Sequence, residues 1–230
     1  MLIQITPQDW AIAALMGEAR RRSNEKVRNS NRDRGYKNNV HVDLMGSISE
    51  LTTFRVFSKY MSQEEQEKQR DIMFSLGGGA RQDGADFYLD LHPHKLKLDV
   101  KSYDCAPNKR FFAINSKKHH QLKGKCDGYS CMLLPKYGSF GYLIPKVEYN
   151  DISLWESKAL GSYGDPSYNM RIIDFTKKYA SSSTINQLIN HHSYSRNEIN
   201  AELKNEETYS KFFSLCPAAK QVFINKNLAA

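Results

Sequence analysis

Two short segments with regularly spaced apolar residues constrain the fold of this chain most strongly. Residues 87–91 and 95–101 place apolar side chains at every second position: Phe87, Leu89 and Leu91 in the first segment, and Leu96, Leu98 and Val100 in the second. A period of two is typical of a strand with one buried face. Pro93 lies between the segments and suits a turn. The pattern predicts an antiparallel β-hairpin with its loop at residues 91–94.

The register of this hairpin follows from matching the buried faces, because a slip of one residue would exchange the core and solvent sides of one strand. Phe87 is therefore expected opposite Leu98. On the other face, the same register sets Asp86 across from Asp99, and Lys101 follows on that face. The remaining predicted pairs are Tyr88 with Lys97, Leu89 with Leu96 and Asp90 with Lys95.

Asp86 and Asp99 form a candidate metal site. Facing carboxylates destabilise a strand pair unless a cation joins them. Mg²⁺ prefers oxygen ligands and often uses only one or two protein carboxylates, and Mn²⁺ is expected to substitute for it. Lys101 is a candidate to hold a water molecule or a phosphate beside this metal. The alternative left open is an ordinary charge ladder in which Lys97 and Lys101 neutralise the two aspartates.

The order Ala85-Asp86 followed by Asp99-Val100-Lys101 resembles the motif of the PD-(D/E)XK nuclease superfamily, which has the restriction-endonuclease-like fold. The resemblance implies that Asp86, Asp99 and the carbonyl of Val100 bind the metal and that Lys101 is catalytic. Two positions depart from the family pattern. Ala85 replaces the proline, and Asp99 is a less common choice than glutamate.

The predicted elements follow the order of the family core, which runs helix, three strands, helix, strand. They are a helix over residues 43–59, strands over 85–91, 95–102 and 110–114, a helix over 116–123 and a strand over 129–134. The expected fold class is therefore α/β with a mixed sheet. The predicted organisation is an N-terminal helix and basic arm in residues 1–42, a nuclease core in 43–150 and a mainly helical C-terminal extension packed on the core in 151–230.

Glu50 is a further candidate metal ligand, because many members of the resembled family carry a glutamate on the first core helix. It lies beside the apolar stripe of the predicted helix. Its side chain is expected to lean over the preceding turn, where Gly46 leaves room for a carboxylate and a hydrated ion. The alternative left open is a surface Glu50 that pairs with Arg55 or Lys59.

Positive charge is concentrated in two parts of the chain. The formal net charge of +8 and the pI near 9.2 favour a polyanionic partner, here DNA. Residues 20–37 are dense in Arg and Lys and form a candidate basic arm, with a solvated charge run as the open alternative. The residues predicted to contact nucleic acid are Arg28, Arg32 and Arg34 in this arm, and Lys109, Arg110, Lys117 and Lys118 around the third strand and second helix of the core.

Length and composition are those expected of an intracellular enzyme. A chain of 230 residues can bury a substantial core. It has no apolar run near the ~20 residues that a membrane-spanning helix needs and no signal-peptide pattern, so no membrane partner is expected. The cysteines form no C-x-x-C pair, and the histidine pairs are predicted to lie in turns, in loops and on helix surfaces. The expected location is the cytoplasm, or the host cytoplasm for a phage-encoded chain.

The resemblance implies a Mg²⁺-dependent deoxyribonuclease, an endonuclease that hydrolyses DNA phosphodiester bonds. In that interpretation Asp86, Asp99 and Glu50 serve the metal, and Lys101 orients or helps to deprotonate the attacking water. Two alternatives stay open: a catalytically impaired nuclease-fold subunit that binds DNA within a larger complex, and an RNase of the same fold. A homodimer also stays open.

Overall fold

The described part of the chain consists of interspersed helices and strands. The structure, a computed structural model, describes residues 1–24, 36–76, 85–91, 94–106, 110–159 and 166–227. Its strands are β1 (Leu2–Gln4), β2 (Phe87–Leu91), β3 (His94–Asp104), β4 (Phe111–Asn115), β5 (Gly128–Leu134), β6 (Phe140–Glu148), β7 (Glu156–Ala159) and β8 (Pro166–Arg171). Its helices are α1 (Pro7–Asn24), α2 (Tyr36–Phe57), α3 (Gln63–Met73), α4 (Ser116–Gln121), α5 (Tyr149–Ile152), α6 (Ile172–Tyr179), α7 (Thr184–Asn190), α8 (Arg196–Glu202), α9 (Glu206–Leu215) and α10 (Ala219–Asn227).

The hairpin formed by β2 and β3 has the predicted register. Phe87 pairs with Leu98, and both side chains are fully buried. The other predicted pairs are also present: Tyr88 with Lys97, Leu89 with Leu96 and Asp90 with Lys95. The connection is shorter than predicted, because Leu91 and His94 form one further pair. Only residues 92 and 93, which lie outside the described residues, separate the two strands.

The described strands form two sheets. A 5-stranded sheet has the order β1-β6-β5-β3-β2, and a 3-stranded sheet has the order β4-β8-β7. The first sheet is mixed, since β3 and β5 are parallel while its other pairs are antiparallel. The predicted α/β class with a mixed sheet is therefore confirmed. The strand β4 follows β3 along the chain as predicted but pairs with β8 outside the mixed sheet, so a restriction-endonuclease-like core stays a prediction.

The second sheet contains two strands that the sequence analysis did not predict. Both β7 and β8 lie in the segment expected to be a mainly helical extension. Their sequences, ESKA and PSYNMR, contain few of the β-branched and large apolar residues that favour strands. They form because residues 167–171 of β8 pair with the whole of β4, and the partly buried Tyr168 and Met170 pack against the apolar core.

The chain divides into two compact units, each built from two segments. The sheet unit comprises Met1–Gln4 and Asp83–Ser193, and the helical unit comprises Ile5–Gln82 and Tyr194–Ala230. These limits differ from the predicted divisions after residues 42 and 150. In particular, α2, which was predicted to begin the nuclease core, lies in the helical unit together with α1.

Strand β5 forms the centre of the sheet unit, and every residue from Gly128 to Leu134 is buried. A strand that is buried on both faces needs close neighbours on each side. Gly128 permits this on the β6 side, because an added Cβ would lie 2.3 Å from the backbone oxygen of Val147. Residues 98–100 of neighbouring β3 are buried as well, so the carboxylate of Asp99 needs partners there.

The helical unit is organised around the contact between α1 and α2. Trp10 of α1 and Ile48 of α2 are fully buried. Gly17 allows the two helices to approach closely, since a Cβ there would lie 3.3 Å from the backbone of Asp43. Among the residues that the structure describes, no helix combines the length and apolar character that crossing a membrane requires.

Two glycines give a matched test of this packing. We expect Gly128→Ala to reduce the free energy of unfolding by about 1–3 kcal/mol, because its methyl group overlaps the β6 backbone. Gly46→Ala should leave it unchanged or raise it by up to about 1 kcal/mol, since no atom lies within 4 Å of the added Cβ and alanine favours a helix. Urea unfolding of both variants measures the difference. Equal midpoints for the two would contradict the close approach of β5 and β6.

Candidate functional site

The candidate site is centred on Asp99 of β3, whose side chain is fully buried. Lys101 follows two residues later on the same face, and its ammonium group donates to Oδ2 of Asp99. The ammonium group of Lys118, from α4, donates to Oδ1 of the same carboxylate at 2.8 Å. Asp99 is thus held by two ammonium groups from different elements. We call these three residues the Asp99 cluster.

Helix α4 is positioned so that Lys118 reaches the cluster. Its N-terminus is capped by Asn115, whose side chain accepts a hydrogen bond from the backbone N–H of Lys118 at 2.9 Å. Ser116 and His119 are buried on one face of this helix, whereas Lys118 remains half-buried. The hydroxyl of Ser116 donates to the carbonyl of Pro166 in β8 at 2.9 Å. The second sheet therefore fixes the helix that supplies Lys118.

Asp86 lies next to this cluster at the end of the β2–β3 pairing. Its backbone N–H donates to the carbonyl of Leu98, and its carboxylate accepts from the backbone N–H of Val100, both at 2.9 Å. The side chain is buried. The sequence predicted two facing carboxylates that a metal ion would bridge, with an ordinary charge ladder as the alternative. That expectation was incomplete, because Asp86 has a backbone donor and Asp99 has two ammonium donors.

The charge balance of the cluster favours an ionised Asp99. Burial raises the pKa of this carboxyl group, but the charges and hydrogen bonds of Lys101 and Lys118 outweigh that effect and lower it to about 2. The charge-ladder alternative correctly named Lys101 as a partner. The ammonium group of Lys97, the other lysine of that alternative, lies 5.7 Å from the ring centroid of Tyr88.

A buried histidine next to this site was missed by the sequence analysis, which assigned His119 to a helix surface. His119 is 1% exposed, and its Nδ1 lies 2.7 Å from the hydroxyl of Tyr129. Its ring stacks on that of Tyr149, with centroids 4.0 Å apart. The spacing of Ser116, His119 and Leu122 would have identified one buried helix face. Burial lowers the pKa of His119, with a smaller effect from its neighbouring histidine.

Tyr129 connects this histidine to the Asp99 cluster. It is the register partner of Asp99 in the parallel pair of β3 and β5. The ammonium group of Lys101 lies 5.8 Å from the centroid of its ring. Burial, followed by the charge of Asp99, raises the pKa of the Tyr129 hydroxyl well above its usual range. His119 and Tyr129 therefore form a neutral, hydrogen-bonded support beside the charged residues.

Glu50 lies in the helical unit, whereas Asp86 and Asp99 lie in the sheet unit. Glu50 is 7% exposed, and its carboxylate accepts a hydrogen bond from Arg20 of α1. Arg20 also donates to the carbonyl of Met73. The surface position that the alternative gave to Glu50 is therefore wrong, and its ion-pair partner seen here is Arg20. Gly46 does leave open space, as predicted, but the role of Glu50 as a metal ligand stays a prediction.

The residues predicted to contact nucleic acid fall into three groups. Arg28, Arg32, Arg34 and Lys109 lie outside the described residues. Arg110 precedes β4 and is exposed, as is Lys117 on α4. Lys118 differs from both, because its ammonium group contacts Asp99. Any contact of Lys118 with nucleic acid therefore competes with this internal ion pair.

The donor set of the site suits a hard cation, although it is small. Asp86 and Asp99 offer carboxylate oxygens and Val100 offers a carbonyl oxygen, the ligand types that Mg²⁺ prefers. Within the described ranges, no three or more His, Cys, Asp and Glu side chains are grouped to hold a metal ion. No protein-family model, no curated protein and no solved structure matches the chain. The functional assignment consequently rests on these residues themselves.

The first site prediction concerns acid stability. The pKa of Asp99 is lower in the folded chain than the value of about 3.9 for an exposed aspartate. Its ionisation therefore stabilises the fold above about pH 4, and this contribution is lost as the pH falls toward about 2. The loss should be on the order of 2 kcal/mol in the wild-type chain and absent in Asp99→Asn.

Unfolding by urea at several pH values between 2 and 7 measures this contribution. Asp90→Asn is the matched control, because Asp90 forms an exposed pair with Lys95 at 3.5 Å. It should keep the wild-type pH dependence. If Asp99→Asn lost stability with acid as steeply as the wild-type chain, the proposed ion cluster would be wrong.

A second prediction concerns the pair formed by Arg20 and Glu50. Glu50→Gln removes the charge that balances a largely buried guanidinium group, so the free energy of unfolding in EDTA should fall by about 1–3 kcal/mol. Glu64→Gln provides the control, since its pair with Lys68 is exposed and should contribute little. Thermal melting of Glu50→Gln and Glu64→Gln compares the contributions of the two ion pairs to stability. Equal melting temperatures would exclude a stabilising role for this pair.

Proposed function

We propose that the chain is a Mg²⁺-dependent deoxyribonuclease of the PD-(D/E)XK type, with a restriction-endonuclease-like core, that hydrolyses phosphodiester bonds in DNA. One observation carries the proposal: a fully buried Asp99 contacts Lys101 two residues later, beside the buried Asp86 at the end of the same hairpin. Two carboxylates and a lysine at these positions are the charged residues that the resembled motif requires.

The chemistry of the donor set supports a metal ion here. Asp86, Asp99 and the carbonyl of Val100 would hold it. When bound, Mg²⁺ stabilises the negative charge that develops during phosphodiester hydrolysis and lowers the pKa of a coordinated water. The carboxylate of Asp99 already stabilises positive charge at this position, because the ammonium groups of Lys101 and Lys118 both contact it.

Lys101 is the proposed catalytic side chain. Its ammonium group contacts Asp99 and lies 3.4 Å from the carbonyl oxygen of Val100. The ammonium group of Lys101 is therefore confined to the neighbourhood of two proposed metal ligands, the carboxylate of Asp99 and the carbonyl of Val100. From this position it would orient the attacking water or contact an oxygen of the scissile phosphate. Tyr129 limits its movement on the β5 side.

The choice of DNA as substrate rests on charge. The chain carries a formal net charge of +8, and the exposed Arg110 and Lys117 lie just before β4 and in the first turn of α4. Contacts of this kind bind the phosphate backbone without reading its sequence. The four cysteines are free and buried, which agrees with the proposed cytoplasmic location.

A second candidate is favoured by the lysines themselves. Both oxygens of Asp99 accept hydrogen bonds from ammonium groups, an arrangement that needs no metal ion. A chain of this kind would bind DNA phosphates as a non-catalytic subunit of a larger complex. The two candidates differ in one measurable property, because only the nuclease requires a divalent cation for turnover.

The third prediction tests catalysis directly. Supercoiled, linear, branched and single-stranded DNA, together with RNA, should be incubated with the purified chain in Mg²⁺, Mn²⁺, Ca²⁺ or EDTA. We expect cleavage of DNA in Mg²⁺ and Mn²⁺ and none in EDTA. Asp99→Asn and Lys101→Ala should each reduce the rate by at least about 100-fold, because the first weakens a proposed metal ligand and the second removes the charge that would contact the attacking water or the phosphate.

DNA affinity in Ca²⁺ should fall much less in both variants, since exposed basic residues supply most of the binding. Lys95→Ala is a suitable control, because Lys95 is exposed on the same strand as Lys101. Cleavage that persists in EDTA or in Asp99→Asn would overturn the metal-dependent mechanism. Metal-independent DNA binding without any cleavage would favour the second candidate, and cleavage of RNA alone would assign the substrate to RNA.

A further inference from the structure

We infer that the ammonium group of Lys118 takes the place of a metal ion at the carboxylate of Asp99 in the metal-free chain. It leaves this carboxylate when a divalent cation binds. The inference rests on the proposed function, because it concerns the same site. It adds a step that the resemblance does not supply: metal binding frees an ammonium group for the substrate. The phosphodiester monoanion of the nucleic-acid backbone is the proposed partner of the freed group.

The two lysines of the Asp99 cluster differ in their ability to leave. Lys101 belongs to the same strand as Asp99, and its side chain is 22% exposed. Lys118 reaches the carboxylate from α4, and its side chain is 44% exposed. A lysine ammonium group sits on a flexible stem of four carbons and is strongly hydrated. Lys118 can therefore move into solvent without a change in the backbone of β3.

Charge balance supplies the reason for displacement. Asp86 and Asp99 carry two negative charges, and Lys101 and Lys118 carry two positive charges, so these four side chains are formally neutral together. A divalent cation added to all four would leave two excess positive charges in a buried site, which is unfavourable. Moving Lys118 away leaves a single excess charge. A phosphodiester anion that contacts the freed Lys118 then offsets part of the remaining positive charge.

This exchange also frees an oxygen atom. Oδ1 of Asp99 accepts from Lys118 at 2.8 Å, and Oδ2 accepts from Lys101. A metal ligand needs a lone pair directed at the ion, so the departure of Lys118 makes Oδ1 available while Lys101 keeps its own contact. Metal ion and Lys118 therefore compete for one atom.

Direct measurement of metal binding tests the competition without reference to cleavage. Mn²⁺ binding to the full-length chain is measured by isothermal titration calorimetry for the wild type, Lys118→Met and Lys123→Met. Lys118→Met should lower the Kd for Mn²⁺ by about five- to tenfold, the effect of removing one competing ion pair of about 1 kcal/mol. Lys123→Met should change it by less than about twofold, because the charge of Lys123 is exposed and screened by solvent.

Melting temperatures provide a second readout. In EDTA, Lys118→Met should melt below the wild type, because Asp99 loses one of its partners. Saturating Mn²⁺ should raise the melting temperature of Lys118→Met by more than that of the wild type. If Lys118→Met does not fold, Lys118→Gln retains a hydrogen-bonding group without the charge and should show the same ordering.

The outcomes separate this inference from the proposed function. An unchanged Kd in the Lys118 variants, with Mn²⁺ binding that disappears in Asp99→Asn, would overturn the competition and leave the metal site intact. No Mn²⁺ binding in the wild type or in any variant would overturn both. Tighter binding in Lys118→Met alone supports the competition, even where the wild type shows no cleavage of the DNA substrates.

Discussion

The buried carboxylate of Asp99 is the constraint on which the candidate site depends. Transferring an ionised carboxylate from water to a protein interior costs several kcal/mol unless partners replace the lost hydration. Lys101 and Lys118 provide these partners, one from the same strand and one from α4. The position of α4 is in turn fixed by its cap at Asn115 and by the bond from Ser116 to β8. The second sheet therefore supports the electrostatics of the first, although it contributes none of the three charged residues.

Local patterns in the sequence predicted those features of the site that depend on residues close together in the chain. Alternation of apolar and polar side chains predicted the pairing of Phe87 with Leu98, and with it the proximity of Asp86 to Val100 and Asp99. A slip of one residue would have buried the wrong face, so the pattern left little freedom. The mixed sheet was also predicted, from the likeness of the predicted element order to the core of the resembled family.

The parts that were not predicted depend on contacts between distant segments. Strands β7 and β8 carry weak strand signals, and they exist because β8 pairs with β4 on one side and with β7 on the other. The pairing of Glu50 with Arg20 and the contact of Lys118 with Asp99 likewise join segments far apart in the chain. No periodicity in a single segment encodes such a pair. The two-segment composition of each compact unit has the same origin, since it reflects which distant segments pack together.

The Asp99 cluster also bears on how the proposed metal site would be stable without a metal ion. Two buried carboxylates without counter-ions would repel each other and destabilise the hairpin. Two ammonium groups remove that repulsion, which stabilises the metal-free chain but reduces its affinity for a cation. A lysine from a separate helix is suited to this role, because its departure leaves β3 in place. On this view, a site with few acidic ligands does not argue against metal-dependent chemistry. Under the proposed exchange, metal binding releases Lys118 to contact a phosphate, and phosphate binding draws Lys118 away from Asp99. Each of the two ligands therefore favours the binding of the other.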